Sequence, residues 1–153
     1  IKANKKKHSP AEVYSFRGSI LSLRNYPKAA INAYKNALLD KPDYAEAHNK
    51  IGEIQKRNGN LDEAINSFSQ AIKIQPDFVR ALINVGSTYE KNGSLDAAEE
   101  RYQQVISIKS DSAEAHFLLG ALLSNKDENE RAVNCFQRAI KLDRFEFEEP
   151  KVE

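Results

Sequence analysis

The chain has 153 residues, 41% of them hydrophobic and 29% charged, which is enough apolar content to bury a core and too much for the whole to be disordered. Its 23 basic and 22 acidic residues nearly cancel to a formal charge of +1, so nucleic acid as the main partner has no electrostatic basis. No apolar run approaches the roughly 18 residues of a membrane span, which argues against membrane insertion, and the start IKANKKKH has no apolar signal-peptide core.

Cys135 has no second cysteine to pair with, and no Cys/His group has metal-ligand spacing. A reducing compartment fits this usage, and the cytoplasm is the expected location. The chain contains no Met, an initiator included, so it reads as a processed product or a fragment of a larger protein.

Residues 1–10 form a basic tail with Lys2, Lys5, Lys6 and Lys7. It reads as a solvated, disordered terminus in preference to a localisation signal or a contact for an acidic surface. Beyond it the sequence repeats. Gly18, Gly52, Gly86 and Gly120 are each 34 residues apart, as are Ala30, Ala64, Ala98 and Ala132. Tyr34, Phe68, Tyr102 and Phe136 lie four residues after those alanines, and Ala37, Ala71, Val105 and Ala139 three further on. Spacings of three and four put each trio on one helical stripe, a ring between two small residues.

In chain order the units span 11–44, 45–78, 79–112 and 113–146, each a helix, a turn and a helix. Polar runs RNYP, NGNL, NGSL and KDEN form the turns. Ser9, Asp43, Asp77 and Asp111 precede the first helices and are expected to cap them. Glu12, Glu46 and Glu114 follow three residues later as in a capping box, and Pro10 suits a first turn. Pro42 and Pro76 end the first two units, with Ser110 and Arg144 at the equivalent places.

These residues resemble the tetratricopeptide repeat family. Its pattern has a large residue at place 4, Leu-Gly at 7 and 8, Tyr at 11, Ala at 20, an aromatic at 24, Ala at 27 and Pro at 32. Residues 11–146 follow it, with departures at Arg17, Gln55 and Tyr26. The resemblance implies an all-α fold, a right-handed superhelical solenoid of antiparallel helix pairs, whose first helices line a concave groove for a protein or peptide segment.

In the first helices, places 2, 5, 6, 9, 12 and 13 face away from the partner helices. In the first unit these are Glu12, Ser15, Phe16, Ser19, Ser22 and Leu23. The expected groove residues of the other units are Asn49, Lys50, Glu53 and Arg57, then Arg80, Ile83, Asn84, Ser87 and Lys91, then Phe117, Leu118 and Ala121. Ile83, Phe117, Leu118 and Ala121 are expected to form one apolar patch. The carboxylate-clamp pattern of chaperone-binding members of the family maps onto Ser15, Ser19, Lys50, Arg80 and Asn84, where one residue of five agrees. The asparagine ladder at place 6 maps onto Phe16, Lys50, Asn84 and Leu118, where one of four agrees.

No phosphate-cradling loop, nucleophile elbow or HExxH motif occurs. His48 and His116 share place 4 two repeats apart and read as packing residues, and Cys135 as an inert thiol. The sequence therefore predicts a non-catalytic scaffold or adaptor without cofactor or metal. A recruitment module of a larger enzyme and a self-assembling chain are the alternatives. With Phe145 at the next capping position and Pro150 in a fifth first helix, the array is expected to stop after unit four. The bare face of its second helix would then be covered by Phe145 or Phe147 folding back, or by a second copy in a homo-dimer.

Overall fold

The computed structural model describes residues 8–147, with side chains through Asp143. Eight helices follow one another among these residues: α1 (Pro10–Leu23), α2 (Pro27–Asp40), α3 (Ala45–Arg57), α4 (Leu61–Ile74), α5 (Val79–Lys91), α6 (Leu95–Ile108), α7 (Ala113–Asn125) and α8 (Asn129–Phe147). The Lys-rich start, Lys2 to Lys7, and the end 148–153 lie outside the described residues. The chain divides between Pro76 and Asp77 into two compact units, each of two helix-turn-helix pairs.

All four expected turns form, and each closes its first helix with the same pair of hydrogen bonds. Gly59 N–H donates to Lys56 O and Asn60 N–H to Gln55 O, and the turns after α1, α5 and α7 repeat this pattern. The motif needs one residue of left-handed backbone. Asn25, Gly59, Gly93 and Asp127 supply it, with φ of 62°, 84°, 81° and 62°. Gly, Asn and Asp are the residue types that tolerate this region.

Packing within each pair rests on a ring laid over a glycine. A Cβ added at Gly52 would lie 2.6 Å from the Phe68 ring, at Gly86 2.7 Å from Tyr102, and at Gly18 and Gly120 2.9 Å from Tyr34 and Phe136. The rings of Tyr34, Phe68 and Tyr102 are fully buried. Each tyrosine hydroxyl finds a partner: Tyr34 Oη lies 2.9 Å from Ser19 Oγ, and Tyr102 donates to Glu90 Oε2 at 2.5 Å. Burial and the neighbouring Glu90 raise the Tyr102 pKa, which keeps that donor protonated.

The same rings join one pair to the next inside each unit. Ala30 and Tyr34 of α2 cluster with Ala47, Ile51 and Ile54 of α3, and Ala98 and Tyr102 of α6 with Leu119, Leu122 and Leu123 of α7. Gln55, where the family has Tyr, is absorbed by bonds to Ser67 Oγ at 2.6 Å and Glu63 at 3.4 Å on α4. An ionic cluster ties α6 to the turn after α7 and to α8: Lys126 Nζ lies 2.8 Å from Asp96 and 2.6 Å from Glu99, and Arg131 2.7 Å from Glu99.

Two expectations need correction. Ser9 does cap α1 in a full capping box with Glu12, but Asp43, Asp77 and Asp111 cap nothing. The cap places are Tyr44, Phe78 and Ser112, and Ser112 alone of these bonds through its side chain, to Ala115 N–H at 3.2 Å. Tyr44 N–H bonds to Lys41 O and Ser112 N–H to Lys109 O, so Asp43 and Asp111 are spent in four-residue turns one step before the helix. Nor does the chain double back at Phe145 or Phe147, since α8 runs on through Phe147. Between Ile140 and Phe147 there is neither a proline nor a turn-forming run to stop it.

Gly52→Ala should lower stability by about 1–2 kcal/mol, because forcing a methyl into the fully buried Phe68 ring outweighs the helix propensity that alanine gains. Denaturant melts of the variant and the parent chain measure this directly, and an unchanged midpoint would refute it. A second expectation concerns acid. The hydrogen bond from Lys126 holds the Glu99 carboxyl below its ordinary value of 4.5. Its stabilising contribution is therefore complete above about pH 4.5 and is lost as pH falls through the lower folded value. Glu99→Gln should flatten that part of the stability–pH curve, and an identical acid limb in both proteins would contradict the assignment.

Candidate functional site

Unit 1 contains a cleft of about 350 Å³ lined by Ser19, Ser22 and Leu23 of α1, Lys50, Glu53 and Arg57 of α3, and Tyr34 of α2. Six of these seven occupy places 6, 9, 12 or 13 of a first helix, the positions expected to face away from the partner helices. The helical stripe brings them together: residues three and four apart share a face, and α1 and α3 each contribute the same face.

The walls are held by a continuous set of bonds. Lys50 Nζ lies 3.0 Å from Glu53 and 3.8 Å from Glu46, and the Asn49 amide donates to Glu53 Oε1 at 2.9 Å. Arg57 donates to Ser22 Oγ at 2.9 Å, which ties the far ends of α3 and α1. Burial, the largest influence, raises the Tyr34 pKa, so its hydroxyl remains available to Ser19. The result is a cleft that combines an exposed Arg57, an exposed Leu23, the Lys50–Glu53 pair and the hydroxyls of Ser19, Ser22 and Tyr34.

Asn49, expected in the groove, is fully buried. It shapes the cleft by holding Glu53 and presents no surface of its own. Ser15, at the same place of α1, is buried too. The contribution of Tyr34 escaped the sequence reading because its place was assigned wholly to the core; its hydroxyl end was the missed signal.

In unit 2, Arg80 and Lys91 are exposed, while Ile83, Asn84 and Ser87 are half-buried on α5. The Asn84 carbonyl accepts from Ser87 Oγ at 3.1 Å and Thr88 Oγ1 at 2.6 Å. Phe117 is exposed and leans on Phe136 with ring centroids 5.6 Å apart. Its cleft is formed with Ala113, Glu114, Ala139, Ile140 and Asp143, and Ile83, Leu118 and Ala121 do not line it. Leu118 instead packs against the core cluster around Tyr102 and Leu122.

Among the described residues no group of three or more His, Cys, Asp or Glu side chains is placed to hold a metal ion. His48 has its pKa lowered by burial, and the His116 ring bonds to Ser110 O at 3.1 Å. Burial raises the Cys135 thiol, which disfavours the reactive thiolate. No described helix is long and apolar enough to cross a membrane.

The sequence matches the family of the cilia and flagella-associated protein 70 middle TPR-like domain over residues 24–143. The chain belongs to this family. A crystal structure of MamA superposes with a TM-score of 0.83 at 24% identity, over 89% of this chain and 80% of that one. A second MamA crystal structure gives 0.81 at 24% identity over 94% and 79%. A MamA RS-1 ArsTM double mutant gives 0.81 at 19% over 91% and 78%. At these identities the likeness shows the fold, a TPR-type helical repeat. No curated protein matches the sequence.

Asn49→Asp should cost the TPR-like chain about 2–4 kcal/mol, since it places a second carboxylate in full burial beside Glu53 and removes a donor. Equilibrium denaturation reads this out. A loss below 0.5 kcal/mol, on the order of an ordinary surface change, would mean that Asn49 is accessible after all.

Proposed function

We propose that this TPR-like chain is a non-catalytic scaffold or adaptor of the cytoplasm, needing no metal or cofactor, which holds an extended or helical segment of a partner protein. The observation that carries the reading is the unit 1 cleft, six of whose seven lining side chains come from the outward places of first helices. Stacked repeats commonly bind through the surface their equivalent helices share. The unpaired Cys135 thiol supports the reducing location.

The cleft chemistry describes the partner. Leu23 is 88% exposed and offers an apolar landing point, and Arg57, bonded to the adjacent Ser22, offers donors to a carboxylate or backbone carbonyl. A segment that presents an apolar anchor close to an acidic residue matches both groups. Glu53 and the paired Lys50 set polarity without a strong net field, so recognition depends on shape and hydrogen bonds more than on steering.

A photo-reactive benzoylphenylalanine placed at position 23 in the source cell should give discrete protein adducts, and the same probe at exposed Asn36 of α2 should give few. Arg57→Glu should diminish the position-23 adducts severalfold. Adducts arising equally at position 36, or undiminished by Arg57→Glu, would move the binding face away from the cleft.

A further inference from the structure

The repeat frame allows each residue of α1 and α8 to be compared with residues doing the same job inside a unit. Where α2 receives α3, the contributors from α2 are Ala30, Ile31, Tyr34 and Leu38, at places 20, 21, 24 and 28 of the repeat. The arriving helix contributes places 3, 7 and 10, which are Ala47, Ile51 and Ile54. In unit 2, α6 receives α7 in the same way, through Ala98, Tyr102 and Ile106 against Leu119 and Leu122.

Both halves of this seam recur on the same chain with part of their apolar side chains left exposed. On α8 the receiving places hold Ala132, Val133, Phe136 and Ile140, and Val133 and Ile140 are 51% and 55% exposed. On α1 the arriving places hold Val13, Arg17 and Ile20. Val13 and Ile20 are 57% and 39% exposed, whereas Ala47, Ile51 and Ile54 on α3 are exposed by 5% or less.

The rim charges are also in register. Lys126, just after α7, bonds to Asp96 near the start of α6 at 2.8 Å. Arg24 stands at the place of Lys126 after α1, Glu130 at the place of Asp96 on α8, and both are exposed. We propose that α8 of one copy receives α1 of a second copy of this chain, head to tail, in the manner of α2 with α3 and of α6 with α7. This proposal uses none of the cleft residues and does not depend on the partner reading. The contact is heterologous, so a joined pair keeps one free face of each kind and further copies can add.

Arg17 makes the seam reversible. It stands where Ile51 and Leu119 stand, at the place that packs against the ring of the receiving helix, so its guanidinium meets the Phe136 ring of the neighbouring copy. A cation over a ring is a weaker cover than an aliphatic side chain.

Sedimentation velocity of the full 153-residue chain over a concentration series tests the proposal. The parent chain should self-associate, and Arg17→Leu should tighten association about tenfold. Ile20→Asp and Val133→Asp should each abolish it alone, yet a one-to-one mixture of the two should form a dimer, because one intact face of each kind remains. Arg24→Glu and Glu130→Arg should each weaken association about threefold, and the double reversal in one chain should restore it. These two surface changes keep the test decisive if an aspartate variant loses helicity by circular dichroism. A monomer at every concentration, Arg17→Leu included, would overturn the proposal. So would association removed by Val133→Asp but untouched by Ile20→Asp, the pattern of a symmetric contact between two α8 helices.

Discussion

The fold depends on one contact made four times, the place-24 ring lying on the place-8 glycine of the same pair. A residue with a Cβ at Gly18, Gly52, Gly86 or Gly120 would meet the ring within 3 Å, so glycine sets how closely the two helices approach. Within each unit that closeness leaves one ring for the next first helix, Tyr34 clustering with Ile51 and Ile54, and Tyr102 with Leu119 and Leu122. The outward places of α1 and α3 share one cleft because both helices are anchored through this same ring.

Much of this was legible in the sequence because close packing leaves a spaced signature. Glycine and a ring 16 residues apart, repeated every 34, admit few arrangements, and Asn58-Gly59 and Asn92-Gly93 marked two turns outright. The caps were less legible. Asp43 and Asp111 have the side chain for capping, but a turn of fixed length consumes them one residue early, and turn geometry is invisible to a residue-type pattern. The expected fold-back at Phe145 or Phe147 failed for a related reason: Arg144 sits where Pro42 and Pro76 sit, and nothing between Ile140 and Phe147 obliges a turn.

The site was half legible. Helical periodicity identifies the outward stripe, so Ser19, Ser22, Leu23, Lys50, Glu53 and Arg57 were found together. It does not say how deep a given place on that stripe lies. Place 5 is buried at Ser15 and Asn49 but open at Phe117, and Leu118 turns into the core. The Lys126 cluster was unseen as well, since its acidic partners Asp96 and Glu99 lie one repeat earlier and ion pairs carry no periodic mark. Depth and long-range pairing are tertiary properties, while the stripe is a local one.

The dependence on the ring and glycine contact is tested most directly by a double-mutant cycle on Gly86 and Tyr102. If the methyl of Gly86→Ala is destabilising because it strikes the ring, that cost should largely vanish in a Tyr102→Leu background, giving a coupling of at least about 1 kcal/mol. Additive effects, with a coupling near zero, would contradict the claim that this contact sets the spacing of the helices.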